Sequence, residues 1–467
     1  MEFRDPLVPG GSRSTRGSPN LLGGMPPDRF RDEDCRFSPH LLPILYHLHV
    51  LRRNPERSRI RSRPTLLFPE PAPQVIQAEL FDASVVGVSS LEMGGDDHEY
   101  LRRRAAPTTP SGGREIRVAD LFSGVGGISL GVREACAELG LRFRPVLAMD
   151  VDPEALACFV DNFAPSTALG TPIEELLSPF GAGALTGDES SLRDAVGPVD
   201  VLVGGPPCQG HSDLNNSTRR SDPKNALYLY MARAAEVLSP EHVLIENVVG
   251  ALRDKQGVVQ VTRQALESIG YRTSLGIVDL DRIGVPQTRR RAILLASKTC
   301  DVSVAELTHK WRTERRDLRW AISDIEDDGG ESILDEPSKP STANRARIEY
   351  LFANNLYDLP DSERPPCHRG GGHSYKSVYG RLRWDQPAQT ITRGFYSTCM
   401  GRYVHPSSRR TLTAHEAARI QFFPDFFRFD GAGSRTTLAR LIGNAVPPKL
   451  GFVTAHELLE GLSANGR

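Results

Sequence analysis

The stretch IRVADLFSGVGGISLGVREACAEL, residues 116–139, decides the fold class of this chain. Its first seven residues are typical of a buried strand, and SGVGG, residues 123–127, is a glycine-rich turn. From Ile128 to Leu139 the apolar residues recur at helical spacing. A glycine turn between a strand and a helix lets backbone N–H groups and the helix N-terminus approach a ligand closely. The stretch therefore predicts the start of an α/β domain with a ligand site at its first turn.

The next segment extends this prediction. A strand is predicted over residues 145–149, and Asp150 follows it directly. An acid at this place can accept hydrogen bonds from ribose hydroxyls, and its separation from Gly126 is near the ~20 residues typical of nucleoside-binding folds. Asp152 also fits a structural role as the cap of a helix over residues 153–162. Strand and helix patterns alternate from residue 116 to residue 297, which predicts one doubly wound α/β domain.

Cys208 follows Gly204-Gly205-Pro206-Pro207, at the end of a strand predicted over residues 199–203. Two consecutive prolines stop the strand and stiffen the loop that presents the cysteine. Taken alone, the thiol fits a buried structural cysteine equally well, because free cysteine packs as a small apolar side chain. A polar stretch over residues 212–225 predicts a mobile loop beside this position.

Two further strands carry polar groups at their ends. Glu246 and Asn247 follow a predicted strand, and the run QTRRR, residues 287–291, leads into another. Because strand ends of one sheet meet at the same edge, these groups and Cys208 are expected in one cleft. There, a thiolate could add to a ring carbon of a pyrimidine, an acid could support charge at the ring nitrogen, and a cation could hold the carbonyl oxygen.

Composition limits the remaining possibilities. The 467 residues carry a net charge of -1, so any nucleic-acid surface must be local. The seven cysteines include no C-x-x-C pair, so we expect neither a metal site nor a disulfide framework. No apolar run reaches membrane-spanning length and the N-terminus has no signal-peptide core, so we expect a soluble, cytoplasmic protein.

The chain divides into four predicted segments. Residues 1–113, rich in Arg, Pro, Gly and Ser, are expected to be mostly disordered. Residues 114–297 form the catalytic and cofactor-binding domain. Residues 298–382 interleave arginine with aromatic residues, which suits contact with phosphates and bases, although an ordinary surface insert also fits. Residues 383–467 complete the domain, with helices over 413–421 and 449–462.

Six blocks of sequence resemble the C5-specific DNA cytosine methyltransferases, which use S-adenosylmethionine. They occur in the family's order and are DLFSGVGG (120–127), GPPCQ (205–209), ENV (246–248), QTRRR (287–291), RIQFFP (419–424) and GNAVPP (443–448). Each block alone is weak to moderate, but six in order are very specific. The resemblance implies a Rossmann-like doubly wound methyltransferase domain with a small irregular target recognition region at residues 298–382.

The same resemblance implies the catalytic roles. Cys208 would add to C6 of cytosine, and Glu246 would contact N3 and the exocyclic amine. Arg291 would contact O2, with Arg289 nearby. Residues 209–224 fall where the family keeps a loop that closes on DNA. Because C6 cannot be reached within the base stack, the target cytosine is expected to flip out of the duplex.

The cofactor contacts are implied in the same way. Phe122, Gly124 and Gly126 belong to the cofactor turn, Asp150 takes the ribose position, and Val151 would lie on the adenine. The segment with Asn444 and Ala445 would return to the methionine part of the cofactor. In one departure from the family, residues 170–173 offer no acid for the adenine amine.

The implied activity is that of a DNA (cytosine-5-)-methyltransferase. The protein is expected to act on double-stranded DNA as a monomer. A functional pairing with a restriction endonuclease would fit this activity. A tRNA cytosine-5 methyltransferase is the alternative, although the Cys-Phe-Thr signature of that group is not found. An amino-group DNA methyltransferase would carry an aromatic residue where Cys208 stands. A third alternative is a catalytically inactive DNA-binding protein. The presence of Cys208, Glu246 and Arg291 argues against it.

Overall fold

A computed structural model describes residues 92–462, apart from residues 109–111, 182, 208–226, 255–256, 327–331 and 370–376. The strands within them are β1 Glu115–Leu121, β2 Arg142–Met149, β3 Thr167–Leu169, β4 Val201–Gly204, β5 His242–Val248, β6 Arg272–Asp279, β7 Gln287–Thr288, β8 Arg290–Ser297 and β9 Ala388–Gln389. The main sheet has the order β3-β2-β1-β4-β5-β8-β6. Neighbours from β3 to β5 are parallel, whereas β8 is antiparallel to both β5 and β6.

The strand order reverses between β1 and β4. These two strands are paired with Leu121 opposite Gly204, and the sheet grows through β2 on one side and through β5 on the other. In open α/β sheets, ligands bind outside the carboxyl ends of the strands at such a reversal. The glycine turn after β1 and the loop that leads to Cys208 after β4 both leave the sheet there.

Helices cover both faces of the sheet. They are α1 Asp97–Arg102, α2 Gly127–Glu138, α3 Pro153–Phe163, α4 Ile173–Leu176, α5 Gly187–Val196, α6 Leu227–Leu238, α7 Val258–Ser268, α8 Val304–Lys310, α9 Leu318–Ile322, α10 Thr342–Ala353, α11 Ala414–Ile420, α12 Arg435–Asn444 and α13 Pro448–Leu459. α2, α8 and α13 bury alternate strand residues such as Val118 and Val201. On the opposite face, Met231 of α6 packs against Gly204. This arrangement confirms the predicted doubly wound α/β fold.

Helix α5 is an element that the sequence analysis does not name. Its first turn is closed by a capping box, in which the Thr186 hydroxyl accepts from the Glu189 N–H and the Glu189 carboxylate accepts from the Thr186 N–H. The T-x-x-E pattern is readable in the sequence, so a local signal for this helix exists. Glu189 also pairs with Arg233 at 2.6 Å, and both side chains are fully buried.

The folded chain begins before the boundary predicted at residue 113. α1 precedes that boundary, and Met93, Tyr100 and Leu101 are completely buried in the main core. Met93, Tyr100 and Leu101 are too few apolar residues to predict a folded segment. Their packing partners are distant in sequence. The part of the predicted extension before residue 92 lies outside the described residues.

The first part of the predicted target recognition region packs against the main core. Trp311 is 2% exposed and packs on Phe452 of α13 at 5.3 Å between ring centroids. Trp320 stacks on Phe422, and the Arg316 guanidinium lies over the Trp320 ring. Trp311 and Trp320 therefore contribute to core packing, and the target recognition role of residues 298–382 stays a prediction.

A smaller core forms farther along the predicted recognition region. It is centred on α10, whose Ile348 and Leu351 pack with Leu359, Val378 and Val404. Residues 370–376, which belong to the predicted recognition region, lie outside the described residues. Among the helices that are described, none is long and apolar enough to cross a membrane.

Candidate active site

The turn between β1 and α2 has an unusual backbone. Phe122, Gly124 and Gly126 all have positive φ, at 56°, 52° and 91°. A Cβ at Gly126 would lie 2.4 Å from the Phe163 ring, so this glycine permits close packing beneath the turn. Gly124 has nothing within 4 Å of the same position, so that side of the turn is open. Positive φ at a bulky residue such as Phe122 is rare and occurs at functional sites.

Asp150 holds the turn from the end of β2. Its Oδ2 accepts a hydrogen bond from the Gly124 N–H at 2.8 Å, and its Oδ1 accepts one from the Asp152 N–H at 2.8 Å. Burial raises the pKa of Asp150, and the Gly124 hydrogen bond and Arg440 oppose this. Asp152 caps α3 by accepting from the Ala155 N–H, as its structural interpretation predicts. A carboxylate has about four acceptor sites, so Asp150 retains capacity for a ligand hydroxyl.

A second buried acid, Asp120, lies behind the turn. It is 1% exposed and accepts a hydrogen bond from the Ser129 hydroxyl at 2.6 Å. Burial raises its pKa to about 8, and the charge of Asp150 acts in the same direction. The sequence analysis assigns Asp120 no role of its own. An acid within the apolar second half of β1, residues 118–121, was the available signal.

The loop after β4 is held beside Glu246. The Asn247 side chain donates to the Pro206 carbonyl at 3.2 Å, and a Cβ at Gly205 would lie 3.4 Å from the Glu246 carboxylate. This glycine therefore lets the loop pass close to the acid. Cys208 follows two positions beyond this anchored backbone and lies outside the described residues. The predicted mobile loop over residues 212–225 and the loop that the family resemblance implies at residues 209–224 also lie outside them.

Glu246 and Arg291 meet across β5 and β8. The Arg291 Nε lies 2.5 Å from the Glu246 Oε1, and the two side chains are only 12% and 9% exposed. The antiparallel register places Val248 opposite Arg291, which brings the two side chains onto the same edge. The buried Tyr228 lies nearby, and burial together with the charge of Glu246 raises its pKa. The structure thus brings together an acid and a cation that the sequence separates by 44 intervening positions.

Arg289 lies deeper than the sequence analysis expects. It is 3% exposed, and its guanidinium donates to the Gln421 side chain and to the Ala445 carbonyl, each at 3.0 Å. Gln287 donates to the same Gln421 oxygen at 2.8 Å, and Gln421 donates to the Ile442 carbonyl at 2.6 Å. Arg289 therefore joins β7 and β8 to the C-terminal segment through a buried polar network.

The C-terminal segment returns to the glycine turn. α12 ends at Asn444, which is exposed, and residues 445–448 then cross α2. The Val446 carbonyl oxygen would lie 2.0 Å from a Cβ at Gly127, and the Pro448 carbonyl oxygen 2.2 Å from one at Gly131. The predicted cofactor residues Asn444 and Ala445 are therefore adjacent to the turn, although more than 300 positions separate them in sequence.

This contact predicts a large effect for Gly127→Ala. The new methyl group meets a backbone oxygen that cannot rotate away, so we expect a loss of about 1–3 kcal/mol in the free energy of unfolding. Urea denaturation measures the loss. Gly187→Ala is the matched control, since Gly187 also begins a helix and has nothing within 4 Å of its Cβ position. Equal stabilities for the two variants would contradict the contact.

The residues present fit a nucleoside cofactor whose flat base packs against an apolar side chain. The Ser123 hydroxyl is buried in the turn without a hydrogen-bond partner, and Val151, next to Asp150, is 64% exposed. An unpartnered hydroxyl and an exposed apolar side chain beside an open glycine are expected at a site that a ligand completes. The described residues contain no cluster of histidine, cysteine and acidic side chains that could hold a metal ion.

The chain is similar to known proteins over most of its length. A family model of the C-5 cytosine-specific DNA methylases matches residues 116–460. The Type II methyltransferase M1.BsuMI of Bacillus subtilis is 47% identical over 363 residues, which cover 78% of this chain and 85% of that protein. The Type II methylase M.HgiDII of Herpetosiphon aurantiacus is 31% identical over 363 residues, with coverages of 75% and 98%.

Solved structures support the fold. The S. pombe Dnmt2 methyltransferase superposes with a TM-score of 0.51 over 75% of this chain and 99% of that chain, at 20% identity. At this identity the likeness concerns the fold alone.

Proposed function

The chain belongs to the C-5 cytosine-specific DNA methylase family, and on this premise we propose how its site methylates DNA. The target cytosine leaves the duplex and enters the cleft between the β4 loop and β8. The observation that carries the proposal is the buried Glu246–Arg291 pair beside the loop that leads to Cys208. The family and the Type II relatives do not favour the tRNA alternative.

Each reacting group has a defined task in this proposal. The Cys208 thiolate forms a bond to C6 of the cytosine, and electron density moves towards C5. Glu246 provides the proton or hydrogen bond that N3 needs as charge develops there, and Arg291 holds O2. C5 gains the methyl group as the bond between that methyl and the donor's sulfonium sulfur breaks, so that the donor would leave as a thioether. The C5 proton then leaves to a base and the C6–sulfur bond breaks, which regenerates the Cys208 thiolate and gives 5-methylcytosine.

Arg289 acts as a positioning residue in this proposal. Its guanidinium is committed to Gln421 and to the Ala445 carbonyl, so it supports the cleft wall rather than the base. The neighbouring Arg291 has its Nε on Glu246. The two arginines of the same short run thus have different tasks.

S-adenosylmethionine supplies the electrophilic methyl carbon when it is bound. The glycine turn and Asp150 would hold its nucleoside, with Val151 against the adenine and the Ser123 hydroxyl completed by a ligand group. Asn444 and Ala445 would close the methionine side. The support for this assignment is the open Gly124, the unpartnered Ser123 hydroxyl and the exposed Val151.

Asp150→Asn tests the cofactor contacts. The amide keeps the size of the side chain but loses the charge that the Gly124 N–H and a ribose hydroxyl would share. We expect the dissociation constant of S-adenosylmethionine to rise about tenfold, as measured by calorimetry without DNA. Asp152→Asn is the control, because Asp152 caps α3 rather than the turn. A larger loss for Asp152→Asn would argue against the assignment.

The proposed activity is tested directly with labelled S-adenosylmethionine. The full chain is incubated with duplex DNA or with tRNA, and methylated cytosine is measured in each. Label in 5-methylcytosine of DNA supports the proposal, whereas transfer to tRNA alone overturns it. Bisulfite sequencing of DNA from cells that carry the gene then identifies the target sequence.

The biological setting is a further part of the proposal. Because relatives are named Type II methyltransferases, we propose that this chain protects DNA from a partner restriction endonuclease, acting as a cytoplasmic monomer. Plasmid DNA from expressing cells should resist the endonuclease that recognises the methylated sequence. Full cleavage of DNA that bisulfite sequencing shows to be methylated would contradict this role.

A further inference from the structure

A buried ion pair joins the segment before the family-matched region to the C-terminal segment. The Lys449 Nζ lies 2.8 Å from the Asp97 Oδ1, and both side chains are 0% exposed. Lys449 is the second residue of α13, whereas Asp97 begins α1, outside the matched residues 116–460. Two charges are costly to bury unless they are paired with good geometry. The pair between Asp97 and Lys449 therefore holds the start of α13 against α1.

Both partners are fixed by further contacts. Arg316 lies 2.6 Å from the second carboxylate oxygen of Asp97, and the Met93 N–H donates to the first at 2.7 Å. The Lys449 ammonium lies 5.2 Å from the centroid of the Phe452 ring. Burial lowers the pKa of Lys449, and Asp97 opposes this shift. Asp97, Lys449 and Arg316 are called the buried clamp below.

Helix α1 is a firm anchor for the clamp. Tyr100 stacks on Phe422 with ring centroids 6.0 Å apart. The Leu101 carbonyl accepts from the Asp425 N–H at 3.0 Å. Both partners belong to the segment just after α11, which is part of the main fold. The N-terminal end of the clamp thus cannot shift without disturbing the core.

The other end of the clamp controls the segment beside the cofactor turn. Lys449 directly follows residues 445–448, whose Val446 and Pro448 carbonyls contact Gly127 and Gly131 of α2. α2 begins directly after the glycine turn. A displacement at the start of α13 therefore changes how residues 444–448 lie against the turn. Packed interfaces of this kind transmit small shifts rather than absorb them.

We propose that Asp97 and Lys449 are positioning residues for S-adenosylmethionine. The buried clamp holds Asn444 and Ala445 at the distance from the glycine turn that the cofactor requires. The inference rests on the proposed function, which assigns those two residues to the cofactor. According to this inference, α1, which precedes the family-matched residues, helps to position the cofactor-binding residues.

Lys449→Met in the full chain tests the clamp. Methionine keeps the length and apolar contacts of the lysine but removes its charge, and Asp97 still has Arg316 as a partner. We expect the dissociation constant of S-adenosylmethionine, measured without DNA, and the KM for it to rise about tenfold. The kcat and the KM for DNA should change by less than about twofold.

Lys310→Met is the matched control. Lys310 pairs with Glu457 at 3.3 Å and with Glu460 at 2.5 Å, near the far end of α13. Its loss removes ion pairs near the same helix but none beside the turn. We expect unchanged binding of S-adenosylmethionine. Equal weakening by the two variants would mean that α13 acts only through general stability, which overturns the proposal.

Thermal unfolding separates positioning from stability. A lower Tm for Lys449→Met with an unchanged dissociation constant assigns the pair to stability alone and also overturns the proposal. If Lys449→Met does not fold, Asp97→Asn replaces it in the same titration, because the amide oxygen still accepts from Lys449 without the charge. Failure of the proposed function is distinct: the unsubstituted chain would then not bind S-adenosylmethionine or not methylate DNA.

Discussion

Cys208→Ser should methylate DNA about 10⁴-fold more slowly than the unsubstituted chain. A serine hydroxyl is scarcely deprotonated at neutral pH, whereas a thiol reaches the reactive thiolate readily. The backbone that leads to residue 208 should keep its path, since the Asn247 side chain donates to the Pro206 carbonyl. The rate is measured under single-turnover conditions, as labelled methyl groups incorporated into duplex DNA.

Two controls distinguish a lost nucleophile from a damaged protein. Cys367→Ser replaces an exposed cysteine and should leave the rate unchanged. DNA with 5-fluorocytosine should trap the unsubstituted chain, because C5 cannot release fluorine as a cation and the C6–sulfur bond then persists. Cys208→Ser should form no such covalent complex. Methyl transfer by Cys208→Ser at a rate near that of the unsubstituted chain would exclude Cys208 as the nucleophile.

Glu246→Gln should lower the kcat by about 10³-fold, within the range for loss of a general acid. The amide cannot supply a proton to N3. In the unsubstituted chain the Arg291 guanidinium lies 2.5 Å from the Glu246 carboxylate, and the amide leaves it without this charge partner. Both effects act on the base and not on the cofactor. We therefore expect the dissociation constant of S-adenosylmethionine to stay the same.

Glu241→Gln is the matched control for this variant. Glu241 immediately precedes β5, the strand that carries Glu246, and pairs with Arg114 at 3.2 Å on the surface. Surface pairs contribute about 1 kcal/mol or less, so this change should be nearly silent. A similar kcat for Glu246→Gln and the unsubstituted chain would remove Glu246 from the mechanism.

Much of the fold follows from periodicity in the sequence. The elements whose bounds the sequence analysis gives, such as β1, α2, α3 and β4, lie within a few residues of those bounds because each has a local apolar pattern. α5 was missed although its capping box is local, since the glycine and serine around it favour a loop. α1 was missed because its few apolar residues acquire a meaning only against Phe422 and the rest of the core.

The arginine and aromatic residues near Trp311 illustrate a different limit. Their composition suits nucleic-acid contact and core packing equally, and burial alone separates the two roles. In the structure Trp311 packs on Phe452, and Arg316 pairs with Asp97. No spacing rule predicts either partner, because both are distant in sequence.

The sequence by itself determined the α/β class and the family, because residue type and motif order carry that information locally. Tertiary structure alone decided which charged side chains pair at the candidate cleft and which support the fold elsewhere. Arg289 and Arg291 stand two positions apart, yet one joins Gln421 and the other joins Glu246. Lys449 is paired with Asp97 across more than 300 positions. The physical reason is that burial and long-range pairing are set by the packing of distant elements, which no local pattern records.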